Sequence, residues 1–424
     1  MFKRIVRADG STLLLVPKKD TQAVTFEVIY KVGSRQENDS NNGVSHFVEH
    51  LMFKGTDKRP NTIDISKELD GIGAEYNAFT GKEHTGYYIT ADSSHLPLAV
   101  EMLSDMLYHS KFDATEMDRE RGVIVEEINM YEDNPLMFIE EVFEDLIFKG
   151  SDLGLPIAGP RQVIKTISRD NLYKYYKKHY FNGNAVIGVA GNFSEAKLMA
   201  LLKKHWPLQK KQTRNRIKKV APFVQKSPQI KLINRDLEQV QLTVGFRSMP
   251  ATAKNFLALQ VLGNILGGTM SSRLFLQIRE RLGLCYFIRA DVSGYEDIST
   301  FSVHAGLNKD KIYEALKAIK QELDNLKKQG VGREELQKAK DNLRGRLILR
   351  LENSTNTLNF LAGQELFGQK IKDEKQTLVD LEKITVQQIN TLAKEVVDWQ
   401  KSNLAIIGPF ARPDKFLQIL NPVK

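Results

Sequence analysis

Among 424 residues there is a single cysteine, Cys285. That excludes an internal disulfide and any Cys-rich metal site, and with them a disulfide-stapled secreted scaffold or a zinc ribbon. A reducing compartment, the cytoplasm, is the expected location. Long hydrophobic runs are also missing. Near the N-terminus the only one, Leu13 to Val16, is far too short for a signal-peptide core or a membrane span, and no membrane partner is expected. Acidic residues are absent from one stretch: Lys203 to Lys231 contains ten Lys or Arg and no Asp or Glu, enough to supply the net charge of +9. Because Pro207, Pro222 and Pro228 punctuate it, this stretch reads as a solvated linker rather than a nucleic-acid docking strip.

What is present fits an ordinary globular enzyme. A hydrophobic content of 42% and this length allow two or three domains. Asp9-Gly10 reads as a hairpin turn, Ala23 to Tyr30 as a strand and Val44 to Phe53 as a helix stopped by Gly55. Asn61 to Gly71 reads as an Asn-capped helix, and Glu75 to Thr80 with Thr85 to Thr90 as a strand pair. Helices are expected at Ser94 to His109 and Ala114 to Asn134, and a buried strand at Ala185 to Ala190. After the basic stretch a similar order returns: strand Gln241 to Phe246, helix Phe256 to Leu266, helix Arg273 to Arg281, strands Tyr286 to Val292 and Thr300 to Ala305, then two long helices. This is the pattern of an internal duplication of about 200 residues and of two like α+β domains.

There are only 8 histidines, and two of them stand four apart in HFVEH. On a helix, His46 and His50 point the same way one turn apart and converge on one ion, with Glu49 beside them to exchange a proton with water. Val44, Phe47, Val48, Leu51, Met52 and Phe53 make the helix apolar nearly all round, so it is expected to be buried. Two histidines and a glutamate buried there need a partner, and a metal is the simplest one. A catalytic zinc needs a third protein ligand. The helix through ERGVIVEEINMY offers one face with Glu120, Val123, Ile124, Glu127 and Tyr131, expected to be buried, and an opposite face with Arg119, Gly122, Glu126 and Asp133. Glu127 is taken as third ligand and Glu120 as an acid orienting a ligand or water. Helical phase excludes Glu126, but periodicity does not decide between Glu120 and Glu127.

HFVEHLMFKGT resembles the active-site helix of the inverted-motif zinc peptidases that include pitrilysin, insulysin and the mitochondrial processing peptidase. Glu127 stands at that family's spacing for the third ligand, and Glu120 at the position of its second acidic residue. The resemblance continues through NAFTGKEHTGYY, which implies an edge strand whose backbone at Asn77 and Ala78 pairs with bound peptide, and through Leu153 to Gly159 and GNF at Gly191 to Phe193. Further on, GGTMSSRLFLQIRERLGLCY places Arg279 and Tyr286 where the family has an arginine and a tyrosine that bind substrate or support the transition state. Taken without the family, the two would be a solvated helix residue and a core aromatic. Ser151-Asp152 in place of His-Pro, and Cys285 in place of a small residue, are modest departures.

The resemblance implies two homologous α+β domains, each a mixed, mostly antiparallel sheet with helices packed on it. Their bounds are 1–215 for the zinc-binding domain, 216–230 for the basic linker and 231–424 for a C-terminal domain that contributes to substrate binding. It implies an endopeptidase with one Zn2+ per chain, acting on extended peptides or unfolded segments in an enclosed chamber. Its catalytic residues would be Glu49 and Glu120, and its metal ligands His46, His50 and Glu127. The size is similar to the processing-peptidase-like branch and implies a homodimer, with Arg279 and Tyr286 acting in the dimer chamber, or a heterodimer with a related subunit. The rival is a non-catalytic subunit of the same fold. Such members typically lose zinc ligands, and this chain retains all three.

Overall fold

Ala23–Tyr30 alternates Val24, Phe26, Val28 and Tyr30 with Thr25, Glu27 and Ile29, the period of a strand, and all seven are buried. Burial on both faces marks a strand in the middle of a covered sheet. The computed structural model, which describes residues 2–221 and 224–421, places it there.

The strands are β1 (Lys3–Val6), β2 (Thr12–Pro17), β3 (Ala23–Tyr30), β4 (Glu75–Thr80), β5 (Thr85–Asp92), β6 (Ala185–Gly191), β7 (Gln229–Asn234), β8 (Gln239–Ser248), β9 (Cys285–Gly294), β10 (Ser299–Asn308) and β11 (Asn403–Gly408). The α-helices are α1 (Val44–Met52), α2 (Thr62–Asp70), α3 (Leu96–His109), α4 (Ala114–Asp133), α5 (Pro135–Ile147), α6 (Arg161–Thr166), α7 (Arg169–His179), α8 (Glu195–His205), α9 (Phe256–Gly267), α10 (Ile312–Gln329), α11 (Arg333–Leu351), α12 (Ser354–Leu366), α13 (Glu374–Glu382), α14 (Val386–Val396) and α15 (Asp414–Leu420). Among the described residues no helix is long and apolar enough to cross a membrane.

The strand orders are β1-β2-β6-β3-β5-β4 and β7-β11-β8-β10-β9. Only β2 with β6 and β7 with β11 run parallel; every other pair is antiparallel. Strands β2 to β6 of the first sheet thus recur as β7 to β11 of the second in the same spatial order, which is the α+β duplication read from the sequence. β4 and β9 occupy the same edge in the two sheets.

The chain forms two compact units that interleave in sequence. One comprises Met1–Asn129, Leu155–Lys218 and Ile348–Glu374; the other comprises Met130–Gly154, Lys219–Leu347 and Lys375–Lys424. The first sheet uses strands between Lys3 and Gly191 and the second uses strands between Gln229 and Gly408, but each unit also takes a helix from the other half of the sequence. In the first unit Leu358, Leu361, Ala362 and Leu366 of α12 pack against Leu14, Val16, Ile29, Val186 and Ala190. Gly188 leaves room for this helix, because a Cβ there would lie 2.8 Å from Leu358 Cδ2. In the second unit Ile139, Val142, Phe143 and Ile147 of α5 pack against Ala405 and Ile407.

The basic stretch has no helix or strand between Trp206 and Ser227 among the described residues, and Pro222 lies outside them. Most of it is exposed, and hydrogen bonds tether it at several points. Arg214 Nη1 donates to the Glu365 carbonyl at 3.1 Å and the Asn215 N–H to Asn184 Oδ1 at 3.0 Å in the first unit; the Val220 N–H donates to Asp297 Oδ2 at 2.8 Å in the second.

Beneath α12, Glu27 is 1% exposed and its carboxyl oxygens lack a hydrogen-bond partner of good geometry. Burial pushes this carboxyl up to about 8, and the neighbouring Asn359 offsets only part of that. A carboxyl raised in the fold contributes stability that is complete below its ordinary value of 4.5 and is lost as pH rises through about 8. The melting temperature is therefore expected to fall from about pH 5 to about pH 8 and to level off above that. Glu27→Gln, which keeps the shape without the charge, should remove several degrees of that fall. Equal slopes for variant and wild type would show that Glu27 is not the titrating group.

Candidate metal centre

The helix α1 folds around its apolar side. Val44, Phe47, Val48, Leu51 and Met52 are all buried in the core of the first unit. The two imidazoles, four residues apart, have ring centroids 4.6 Å apart and Nε2 atoms 3.2 Å apart. From α4, Glu127 Oε2 comes within 3.5 Å of His46 Nε2 and 3.5 Å of His50 Nε2. These three donors lie within 4.8 Å of one another. A tetrahedral zinc with bonds of about 2.0–2.2 Å separates its ligand atoms by about 3.3 Å, so the donor set fits zinc in both chemistry and spacing.

Glu120 faces the other side of the same histidine. Its Oε2 lies 3.0 Å from His50 Nδ1 and its Oε1 lies 2.7 Å from Lys54 Nζ. The two carboxylates that periodicity could not separate thus face different nitrogens: Glu127 both Nε2 atoms, Glu120 the Nδ1 of His50. The buried stripe of α4 is Met117, Glu120, Ile124 and Ile128. Val123, expected in it, is 50% exposed. The stripe is centred between Glu120 and Ile128, which puts Val123 past its margin and leaves Glu127 at the edge, where it reaches the two histidines. Glu126 is exposed.

Charge is distributed unevenly among these groups. Burial, joined by the charge of His50, holds His46 below the ordinary imidazole range. For His50, burial opposes protonation, but hydrogen bonds to Glu120 and Glu127 and the charge of Glu49 outweigh it, so this ring is raised. The Glu127 carboxyl is lowered by its hydrogen bond to His50, against the effect of burial. Burial raises Glu49, and the Thr80 hydroxyl, which donates to Glu49 Oε2, offsets part of that. For Glu120 burial is outweighed by His50 and Lys54, and its carboxyl is lowered.

Thr80 ends β4, the edge strand. Asn77 is exposed there, and its Oδ1 accepts the Ala78 N–H at 2.9 Å, a side chain standing in where no further strand lies among the described residues.

In the second unit, the segment Phe275–Arg281 departs from the expected α-helix. It is wound as a π-helix, with the Leu282 N–H donating to the Gln277 carbonyl. The Arg279 guanidinium lies 4.7 Å from the Phe275 ring and 5.9 Å from the ring of Tyr286. Tyr286, near the start of β9, is 74% exposed, so it is not a core aromatic. Arg279 and Tyr286 are therefore brought together, as are the five acidic and histidine residues of the first unit. Sequence reasoning passed over Thr80 and Lys54, although both lie inside the motifs it singled out. It also missed Glu37, for which no spacing signal exists.

The sequence profile described as Insulinase (Peptidase family M16) matches residues 13–161, and the one described as Peptidase M16 inactive domain matches residues 166–343. An uncharacterized zinc protease of Streptomyces coelicolor is 32% identical over 412 residues, covering 96% of this chain and 89% of that one. An uncharacterized zinc protease of Bacillus subtilis is 32% identical over 409 residues, covering 96% and 98%. The crystal structure of a protease from Helicobacter pylori shares the fold, with a TM-score of 0.89 at 22% identity over 96% of this chain and 99% of that one.

Proposed function

Because the chain belongs to peptidase family M16, the insulinase family, we propose that it is a zinc-dependent endopeptidase of the inverted-motif type, hydrolysing peptides or unfolded segments held as an extended strand. The observation that carries this reading is the triangle of His46, His50 and Glu127 donors, 3.2 to 3.5 Å on a side, with Glu49 on the same helix. Relatives named zinc proteases support the choice of metal.

One zinc ion per chain, held by His46, His50 and Glu127, would supply a Lewis acid that polarises a peptide carbonyl and acidifies water. Glu49 takes the proton from the attacking water and delivers it to the leaving amine, a task its raised pKa suits. Thr80 steers that carboxylate through its hydroxyl. Glu120, itself held by Lys54, accepts from His50 Nδ1 and so leaves Nε2 free to act as a ligand. At the open edge of β4, the Ala78 N–H exchanges the Asn77 side chain for a carbonyl of the incoming peptide. Arg279 and Tyr286 are assigned to binding substrate. The assembly we infer is a pair of such chains, a homodimer or a heterodimer with a related subunit.

The test is hydrolysis of an unstructured, quenched fluorescent peptide library, with and without a chelator and with zinc added back. Cleavage abolished by the chelator and restored by zinc is the expected result. A protein that is silent and contains no zinc would overturn the reading in favour of a non-catalytic subunit of the same fold.

A further inference from the structure

We propose that Glu37 is the positioning residue of the metal helix: its buried carboxylate locks the N-terminus of α1, and with it the direction of His46 and Glu49, to the β4–β5 strand pair. This rests on the zinc reading above and adds a residue to it.

The first turn of a helix has free N–H groups that a capping side chain normally satisfies. Here the N-cap is Gly43, at φ 96. It has no side chain and no room for one, because a Cβ would lie 2.6 Å from the Ala158 carbonyl oxygen and 2.7 Å from Ile164 Cδ1. The acceptor comes instead from outside the helix. Glu37 Oε2 accepts the Gly43 N–H at 2.7 Å and Asn42 Nδ2 at 2.8 Å, and its Oε1 accepts the Ser45 N–H at 2.6 Å. The residue is 3% exposed.

The segment that carries Glu37 is in turn fastened to the turn between β4 and β5. The Ser34 N–H donates to the Gly81 carbonyl at 3.2 Å and the Arg35 N–H to the Lys82 carbonyl at 2.8 Å, and the Arg35 guanidinium is ion-paired with Glu83. Tyr175 closes the ring, its hydroxyl lying 2.8 Å from Ser45 Oγ and 3.4 Å from the Gly33 carbonyl. The same strand pair touches α1 again at Glu49, through Thr80. One hairpin thus holds the metal helix at two points, and Glu37 is the link at the end where His46 sits in the first turn.

Glu37→Gln replaces one accepting oxygen with an amino group that opposes the N–H donors. In the folded variant, zinc affinity, measured by competition with a chelator, should fall about 10-fold, and kcat should fall with it while the peptide KM changes little. The visible absorption of the cobalt(II)-loaded protein should change in the same variant, since it reports ligand geometry. Leu198→Ala, in the core of the first unit on α8, serves as control: it should lower the melting temperature without moving zinc affinity or the cobalt spectrum. Wild-type zinc affinity and cobalt spectrum in Glu37→Gln would overturn the proposal. If that variant does not fold, Asn42→Ala, which frees one side of the carboxylate, decides by the same comparison, with weaker zinc binding expected and unchanged binding overturning it. Wild-type protein that binds no zinc would sink the zinc reading itself, whereas tight wild-type binding matched by the variant sinks only the role of Glu37.

Discussion

Glu49→Gln is expected to lower kcat by between about 100- and 10,000-fold while leaving zinc bound. The change keeps shape and removes basicity. Glu49 is placed for proton transfer rather than ligation: it lies on α1 beside the two histidines, but its oxygens are not part of the three-donor cluster. Its partner is a hydroxyl from the edge strand, Thr80, and burial raises its carboxyl toward the operating range of a general base. The other buried acid is a poor candidate for the base. Both Glu120 oxygens are occupied, by His50 Nδ1 and Lys54 Nζ, and its carboxyl is lowered rather than raised. Peptide cleavage persisting in zinc-loaded Glu49→Gln would mean that the proton goes elsewhere.

Much of this arrangement was legible from spacing alone. The strand at Ala23 to Tyr30 and the start of the helix at Val44 match the structure because apolar periodicity there is unbroken and both elements are buried on nearly every side. The Asn61 cap was legible for a local reason: Asp64 accepts the Asn61 N–H at 3.1 Å within one turn. Where the reading fell short, the cause is not local. Val123 has the right residue type for the buried face of α4 but lies beyond its margin, since the sequence shows the period of a stripe more clearly than its centre. That α12 packs in the first unit, hundreds of residues from the sheet it covers, leaves no periodic trace beyond the ordinary apolar face of a helix. The wider winding at Phe275–Arg281 likewise cannot be told from an α-helix by composition. Glu37 works through main-chain N–H groups, and those carry no sequence signature at all.

Glu127→Gln is expected to weaken zinc binding by more than about 100-fold, beyond the range found for residues that merely orient a ligand. Glu126→Gln, its neighbour, should leave binding unchanged. The contrast follows from a single helical step. Glu126 faces solvent, whereas Glu127 Oε2 stands 3.5 Å from both imidazole Nε2 atoms. Glutamine offers an oxygen of similar reach but no charge, and two neutral imidazoles with an amide make a poor site for a dication. Since Glu127 sits at the margin of the buried stripe, the loss should appear in metal content with little change in the fold, and dialysis followed by metal analysis reads it directly. Glu120→Gln should fall between the two, about 10- to 100-fold weaker, because it acts through His50 Nδ1. If the order were reversed, with Glu120→Gln losing the metal and Glu127→Gln keeping it, the two carboxylates would exchange roles and the metal would have to lie on the Nδ1 side of His50. The carboxylate on that side already pairs with the Lys54 ammonium, 2.7 Å from Glu120 Oε1, and a second cation sharing it would be repelled by that charge.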